Sequence, residues 1–191
     1  MNEFTPAAGF IAGATQDEQS ITRDWQPLQP LIEGVRVREV RPVPKDNGVL
    51  TEIWRADWAV DDLPVAQVFQ NLLQPGGISG WHVHRSTTDR IFVNSGLMKL
   101  VLHDARTASP TFGRINEFRL GDVRPALVLV PPGVWHAVQN LASEPSRLLN
   151  LVDQSYAYED PDHWRLPLDA PQIPYRFQPV SAKLSDARAG L

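Results

Sequence analysis

The sequence predicts an all-β protein, a barrel or sandwich of short antiparallel strands, and three observations lead there. Seventeen prolines and twelve glycines among 191 residues interrupt nearly every window long enough for a three-turn helix. The stretches between these breaks are rich in β-branched and aromatic residues. Two of them, Val35-Arg36-Val37-Arg38-Glu39-Val40 and Met98-Lys99-Leu100-Val101-Leu102-His103, alternate apolar with polar positions, the period of a half-buried strand.

Taken in order, strands are expected over 35–43, 49–59, 65–73, 90–93, 97–103, 126–130 and 147–152, with a further strand through 81–84 and another entered from Pro131-Pro132-Gly133. No helical period intervenes, so the pattern is not that of a βαβ protein. The organisation expected is an N-terminal arm over 1–30, one barrel domain over 31–178 and a tail over 179–191, with the arm covering an edge strand of a second subunit in a homodimer. The N-terminal segment carries Glu3 and no basic residue before Arg23, and it reads as an arm rather than a signal peptide. No apolar run approaches the roughly 18 residues of a membrane span, and a cytoplasmic location is the expectation.

Composition narrows the chemistry. The absence of cysteine excludes disulfides, thiolate metal sites and cysteine nucleophiles. Eighteen basic against 22 acidic residues, with the signs interspersed, give no polyanion-binding surface, so the expected partner is a small molecule rather than nucleic acid or membrane.

The informative residues are histidines. If 81–84 is a strand, its period of two sends His82 and His84 to one face and Trp81 and Val83 to the other. Asp89 follows on the next strand, and His136 follows the Pro-Pro-Gly turn. Three imidazoles and a carboxylate converging on one point make a mononuclear site for a divalent metal, and iron, manganese, nickel and zinc all suit such ligands. His103, opposite Met98, Leu100 and Leu102 on its strand, and His163, in an acidic turn, are expected to be structural.

The spacing resembles the two signature motifs of the cupin superfamily, which implies a jelly-roll barrel. Gly76, His82, His84, Asp89 and Gly96 match the first motif, with aspartate where glutamate is usual. Pro131, Gly133, His136 and Asn140 match the second, whose leading glycine is displaced to Gly121.

A closer resemblance is to the deoxythymidine-diphosphate-4-dehydrorhamnose 3,5-epimerases, themselves cupins. It rests on Asp104, Arg106, the run Ser109-Pro110-Thr111-Phe112-Gly113, Gly80-Trp81-His82, and the segment from Val130 to His136. The resemblance implies proton abstraction beside a ketone by His82, with His136 as a second active-site histidine, Asp169 orienting the base and a tyrosine returning the proton. Several family positions differ. The tyrosine position, thirteen residues after His136, is Leu149; the family lysine falls on Asp89; and two diphosphate-gripping arginines fall on Asn47 and Ser79. Arg55, Arg85 and Arg90 are candidate replacements for those cations, and Tyr156 or Tyr158 for the acid.

Three functions compete on this reading. The first is a divergent sugar-epimerase-like cupin binding a divalent metal through His82, His84, Asp89 and His136, with catalytic His82, His136 and Asp169 and substrate-binding Arg55, Arg90 and Tyr156, and weak or absent activity on thymidine-diphosphate-linked 4-keto sugars. The second is a metal-free nucleotide-sugar epimerase or ketoisomerase with His82 as base. The third is a non-enzymatic ligand-binding cupin walled by Trp54, Trp58, Trp81 and Trp135, tryptophans that core packing would equally explain.

Overall fold

The computed structural model of the protein describes residues 11, 13–24 and 27–180. Expectations for 1–10 and for 181–191 of the tail lie outside the described residues. The chain divides after Pro30 into two units. In the first, Ile21 and Pro27 form an isolated antiparallel bridge, and the Leu28 N–H donates to the Ser20 carbonyl.

The described residues of the second unit form twelve strands: β1 (Arg36–Glu39), β2 (Val43–Lys45), β3 (Gly48–Leu50), β4 (Gln67–Leu73), β5 (Ile78–Val83), β6 (Asp89–Ser95), β7 (Leu97–Asp104), β8 (Ile115–Gly121), β9 (Ala126–Val130), β10 (Val134–Asn140), β11 (Ser146–Val152) and β12 (Trp164–Arg165). Two five-stranded sheets, β1-β9-β6-β11-β4 and β12-β5-β10-β7-β8, and the small β2-β3 hairpin account for all of them. Among the described residues every pairing is antiparallel, and helix is limited to the 3-10 turn Ala56–Trp58. This is the jelly roll the sequence implied.

The inward positions of both sheets follow the period of two. Met98, Leu100 and Leu102 of β7, Phe118 and Leu120 of β8, Val128 and Val130 of β9, and Ile91 and Val93 of β6 fill the space between the sheets. Burying one such side chain stabilises the fold by roughly 1.5–3 kcal/mol. The cavity of the next section continues these rows: Ile91 is preceded by Asp89, Leu148 is followed by Asn150, and Val134 and Val138 flank His136.

Two expected strands differ: 35–43 pairs only over Arg36–Glu39 in β1, and Val43 already belongs to the separate β2–β3 hairpin. Of 49–59, only the first residues pair, in β3; beyond them Ile53, Trp54 and Trp58 pack on the outer face of the first sheet against Phe92, Leu127, Leu129 and Leu151. Their apolar character is met by packing, not by a hydrogen-bonded ladder, and a run that only packs looks like a strand in sequence. Strand β8, whose Asn116, Phe118 and Leu120 alternate with Ile115, Glu117 and Arg119, was not among the expected elements.

The Asp104–Gly113 run proves structural. The buried Asp104 carboxylate accepts hydrogen bonds from the backbone and side chain of Arg106 and from the Ser109 and Thr111 hydroxyls. The Gly113 N–H closes the loop onto the Asp104 carbonyl at 2.8 Å. Burial alone would raise the carboxyl's pKa, but the Arg106, Ser109 and Thr111 bonds outweigh it and hold the group ionised. Removing one partner of such a buried pair typically costs 3–5 kcal/mol.

Candidate active site

A cavity of about 660 Å³ opens between the sheets beside the apolar core. His82 from β5 and His136 from β10 are directly opposed across the β5–β10 ladder, and His84 follows just past the end of β5. Asp89, at the start of β6 in the facing sheet, is 1% exposed, and its Oδ1 accepts a 2.6 Å hydrogen bond from the Asn150 amide.

The proton positions of two imidazoles follow from their partners. His84 Nδ1 meets the Asp162 carbonyl, and His136 Nδ1 meets the Val134 carbonyl at 3.2 Å; a carbonyl only accepts, so both Nδ1 atoms carry hydrogen. In the neutral rings each Nε2 then presents a lone pair. Those two atoms face Asp89 Oδ2 at 3.3 and 3.5 Å, and that buried oxygen has no hydrogen-bond partner. Burial pushes the His136 imidazolium toward deprotonation, and this outweighs the opposing pull of Asp89.

His82 stands apart from this trio. His84, Asp89 and His136 offer ligand atoms within 4.8 Å of one another, a group that does not include His82. Of the four residues expected to converge, the structure brings His84, Asp89 and His136 together and leaves His82 outside that group. The His82 ring instead packs edge-on against His163, with centroids 4.5 Å apart, and its buried Nε2 has no hydrogen-bond partner. Burial, then the neighbouring His136, His163 and Arg165, push its pKa down to about 3, so the ring is neutral at ordinary pH.

His163 corrects a second expectation, for it lines the cavity rather than a remote turn. Its segment is brought there by Asp162, whose carboxylate accepts from the backbone N–H groups of Arg85, Ser86 and Thr87 and from the hydroxyls of Ser86 and Thr87. Nothing in the spacing of the other histidines marks His163. The one available signal is the aromatic and acidic density of 156–164.

Three candidate substrate or catalytic residues lie elsewhere. Arg90 is fully buried and clamped by Asp61 at 2.6 and 2.7 Å, with further bonds to the Leu63, Pro64 and Leu151 carbonyls, so it braces the outer face of the sheet. Arg55 is tied to Glu52 and Asp57 at the surface and does not line the cavity. Asp169 is exposed, lies outside the cavity lining and makes no hydrogen bond to His82. Tyr156 and Tyr158 do line the cavity, Tyr156 with its backbone N–H bonded to Gln67.

The neighbour of Leu149 also matters. Leu149 packs outward with Leu151 and Phe92, while Asn150 turns into the cavity, so the residue counted as the tyrosine position faces away from any substrate. The tryptophans are packing residues first: Trp81 is fully buried against Tyr175 and Phe177, and Trp54 and Trp58 belong to the outer apolar cluster.

A jelly roll with an imidazole-lined cavity between its sheets defines a cupin. Residues 29–189 match the family model for dTDP-4-dehydrorhamnose 3,5-epimerase, and the chain belongs to that family. It is 31% identical over 141 residues, 73% of this chain and 90% of its relative, to a protein of Haloferax volcanii described as a probable low-salt glycan biosynthesis epimerase, Agl13. Among solved structures, a dTDP sugar isomerase from Desulfovibrio desulfuricans is 28% identical with a TM-score of 0.71, covering 75% of this chain and 90% of that one. ChmJ, a 3'-monoepimerase from Streptomyces bikiniensis solved with dTDP-quinovose, is 26% identical with a TM-score of 0.67, covering 83% of each chain. The family is thus one of sugar epimerases. No helix among the described residues is long and apolar enough to cross a membrane.

The lowered His82 pKa has a consequence for stability. Between pH 6.5 and about 3 the unfolded chain holds a proton on this ring that the folded chain refuses, so folding weakens as pH falls through that window. Urea denaturation in the presence of chelator should show stability declining across it, and His82→Gln should make the decline shallower. An unchanged slope in the variant would contradict the assignment.

Proposed function

We propose that the protein is a sugar epimerase or isomerase that moves a proton at the carbon beside a sugar ketone, with His82 as the base. The observation behind this reading is the neutral His82 ring, whose buried Nε2 lacks a hydrogen-bond partner in a cavity of sugar size. In the tautomer with hydrogen on Nδ1, the Nε2 lone pair has no protein partner and is left to a substrate C–H. In the free protein the ring holds a proton weakly; the negative charge that develops on the substrate oxygen supplies the missing stabilisation of the imidazolium. The ring packed against His82 is that of His163, and Asp169 does not line the cavity.

The proton must return from a second group for the configuration to invert. Tyr156, 49% exposed at the cavity edge, is the proposed donor, and its exposure lets solvent restore the hydroxyl proton afterwards. Family membership and the sugar epimerase and isomerase relatives support a keto-sugar as the substrate class. Incubating a thymidine-diphosphate-linked 4-keto-6-deoxy sugar in deuterated water should place deuterium beside the ketone. His82→Asn should slow this at least about a hundredfold. Exchange at the normal rate in that variant would remove His82 from the role.

A second reading is favoured by one specific feature, the unpartnered Asp89 Oδ2 facing two imidazole lone pairs. Two imidazole nitrogens and a carboxylate oxygen lying this close fit a divalent first-row ion, with His84, Asp89 and His136 as the residues that would hold it. Such an ion supplies Lewis-acid stabilisation of an oxyanion. The Nδ1 bonds to the Asp162 and Val134 carbonyls orient both imidazoles as metal ligands are oriented. On this reading, elemental analysis of purified protein finds about one ion per chain, and Asp89→Asn lowers that content with the fold intact. Metal-free protein with full activity in chelator would overturn it.

A further inference from the structure

The histidine that the proposed function makes the base is not oriented in the usual way. A functional imidazole is ordinarily held by a hydrogen bond to its second ring nitrogen. Among the described residues none holds the His82 ring. Its ring neighbours are His163, with centroids 4.5 Å apart, and His136 at 5.9 Å. The aim of His82 is therefore set by the backbone of β5.

On the side of β10 that backbone has an irregular ladder. His82 pairs with His136 and Ser79 with Val138, so Gly80 and Trp81 together face the single residue Ala137. A bulge of this kind interrupts the pairing and re-aims the side chains beside it. The strands approach so closely there that a Cβ at Gly80 would stand 2.2 Å from the Ala137 Cβ.

The missing constraint comes from outside the barrel. The Trp81 N–H donates to the Leu166 carbonyl and the Leu166 N–H to the Trp81 carbonyl, both at 3.2 Å. Beyond Leu166 the chain packs on the outer face of the second sheet, where Ile173, Tyr175 and Phe177 cover the fully buried Trp81. The indole meets Tyr175 edge-on with centroids 6.1 Å apart and Phe177 at 5.6 Å. Lys99 lies over both of those rings, 5.6 and 5.4 Å from their centroids, and the Gln139 amide donates to the Gln178 carbonyl at 2.9 Å. Trp81 and His82 are consecutive on one strand, so the seat of the indole on one face decides where the imidazole points on the other.

We propose that residues 166–178 are a strap that aims His82 by clamping Trp81, which makes Trp81, Tyr175 and Phe177 positioning residues although none of them lines the cavity. The inference rests on the reading of His82 as the base. It gives to packing on the opposite face of the strand the task that a hydrogen bond to the ring would otherwise perform. Misplacing a reacting group by about 1 Å can slow a reaction roughly a hundredfold, so a little slack under the strap is enough to be measured.

The test follows the full chain by two measurements, deuterium incorporation into a thymidine-diphosphate-linked 4-keto-6-deoxy sugar and nitrogen-15 NMR of the His82 ring. Tyr175→Ala and Phe177→Ala should each lower kcat by about tenfold or more with KM within about twofold, and should move the His82 ring signals. Tyr175→Phe and Phe177→Leu, which keep most of the packing, should retain most of the rate. Ile53→Ala, which thins the apolar cluster on the other sheet, should lower the melting temperature while kcat and the His82 signals stay unchanged. Alanine variants of the strap that leave both kcat and the His82 signals unaltered would overturn the inference, as would a loss confined to KM or one matched by Ile53→Ala. His82→Asn separates the two readings: normal exchange in that variant removes the base assignment, while the ring signals of the strap variants still decide whether the strap holds His82.

Discussion

The period of two along paired strands is the constraint on which this molecule depends. In each sheet every second side chain points between the layers, and the same inward rows serve two purposes. Along most of β6, β7, β9 and β11 they carry Ile91, Val93, Leu100, Leu102, Val128 and Leu148, which exclude water and hold the sheets together. Where the rows reach the cavity they carry Asp89, Asn150, His82 and His136. The functional side chains are therefore fixed by the packing that stabilises the barrel. A one-residue slip of β6 or β10 would turn Asp89 or His136 away from the cavity together with the whole apolar row beside it.

Buried polar groups fix the segments that strands leave free. Asp104 closes the 104–113 loop, Asp61 and Arg90 tie an irregular segment to the outer face of a sheet, and Asp162 fastens the 153–163 segment to residues 85–87. In each case an ionised group has its partners supplied in full, as its burial requires. The contrast is at the cavity. Asp89 Oδ2, His82 Nε2 and His163 Nε2 are buried without hydrogen-bond partners. Polar atoms left unmet in this way are costly to a fold, and three of the six such side-chain atoms among the described residues belong to residues lining this cavity.

Much of this was legible in the sequence, and the residues that were not share a cause. His82, His84, Asp89 and His136 could be found because local alternation and short spacings decide which way they face. His163 could not, since it reaches the cavity through Asp162 bonding to residues 75–77 positions earlier in the chain. Arg90 read as a free cation because charge says nothing of burial, and its partner Asp61 sits in a segment with no strand pattern. Leu149 was taken for the site position by counting from His136. A register shift where Arg147 and Leu148 meet β6 intervenes in that stretch, and strand pairing, not the count, places Asn150 inside. The run 49–59 looked like a strand because tryptophan and isoleucine favour strands and packed surfaces alike.

The account turns on three cavity imidazoles, His82, His136 and His163, whose burial disfavours a proton on each ring. Nitrogen-15 NMR of the histidine rings tests this directly, because the shifts of the two ring nitrogens report both charge and tautomer. At neutral pH in chelator, His136 is predicted to be neutral with hydrogen on Nδ1, and His82 to remain neutral on titration below pH 5. A positively charged His136 at neutral pH, or a His82 that takes up its proton above pH 5, would contradict the account.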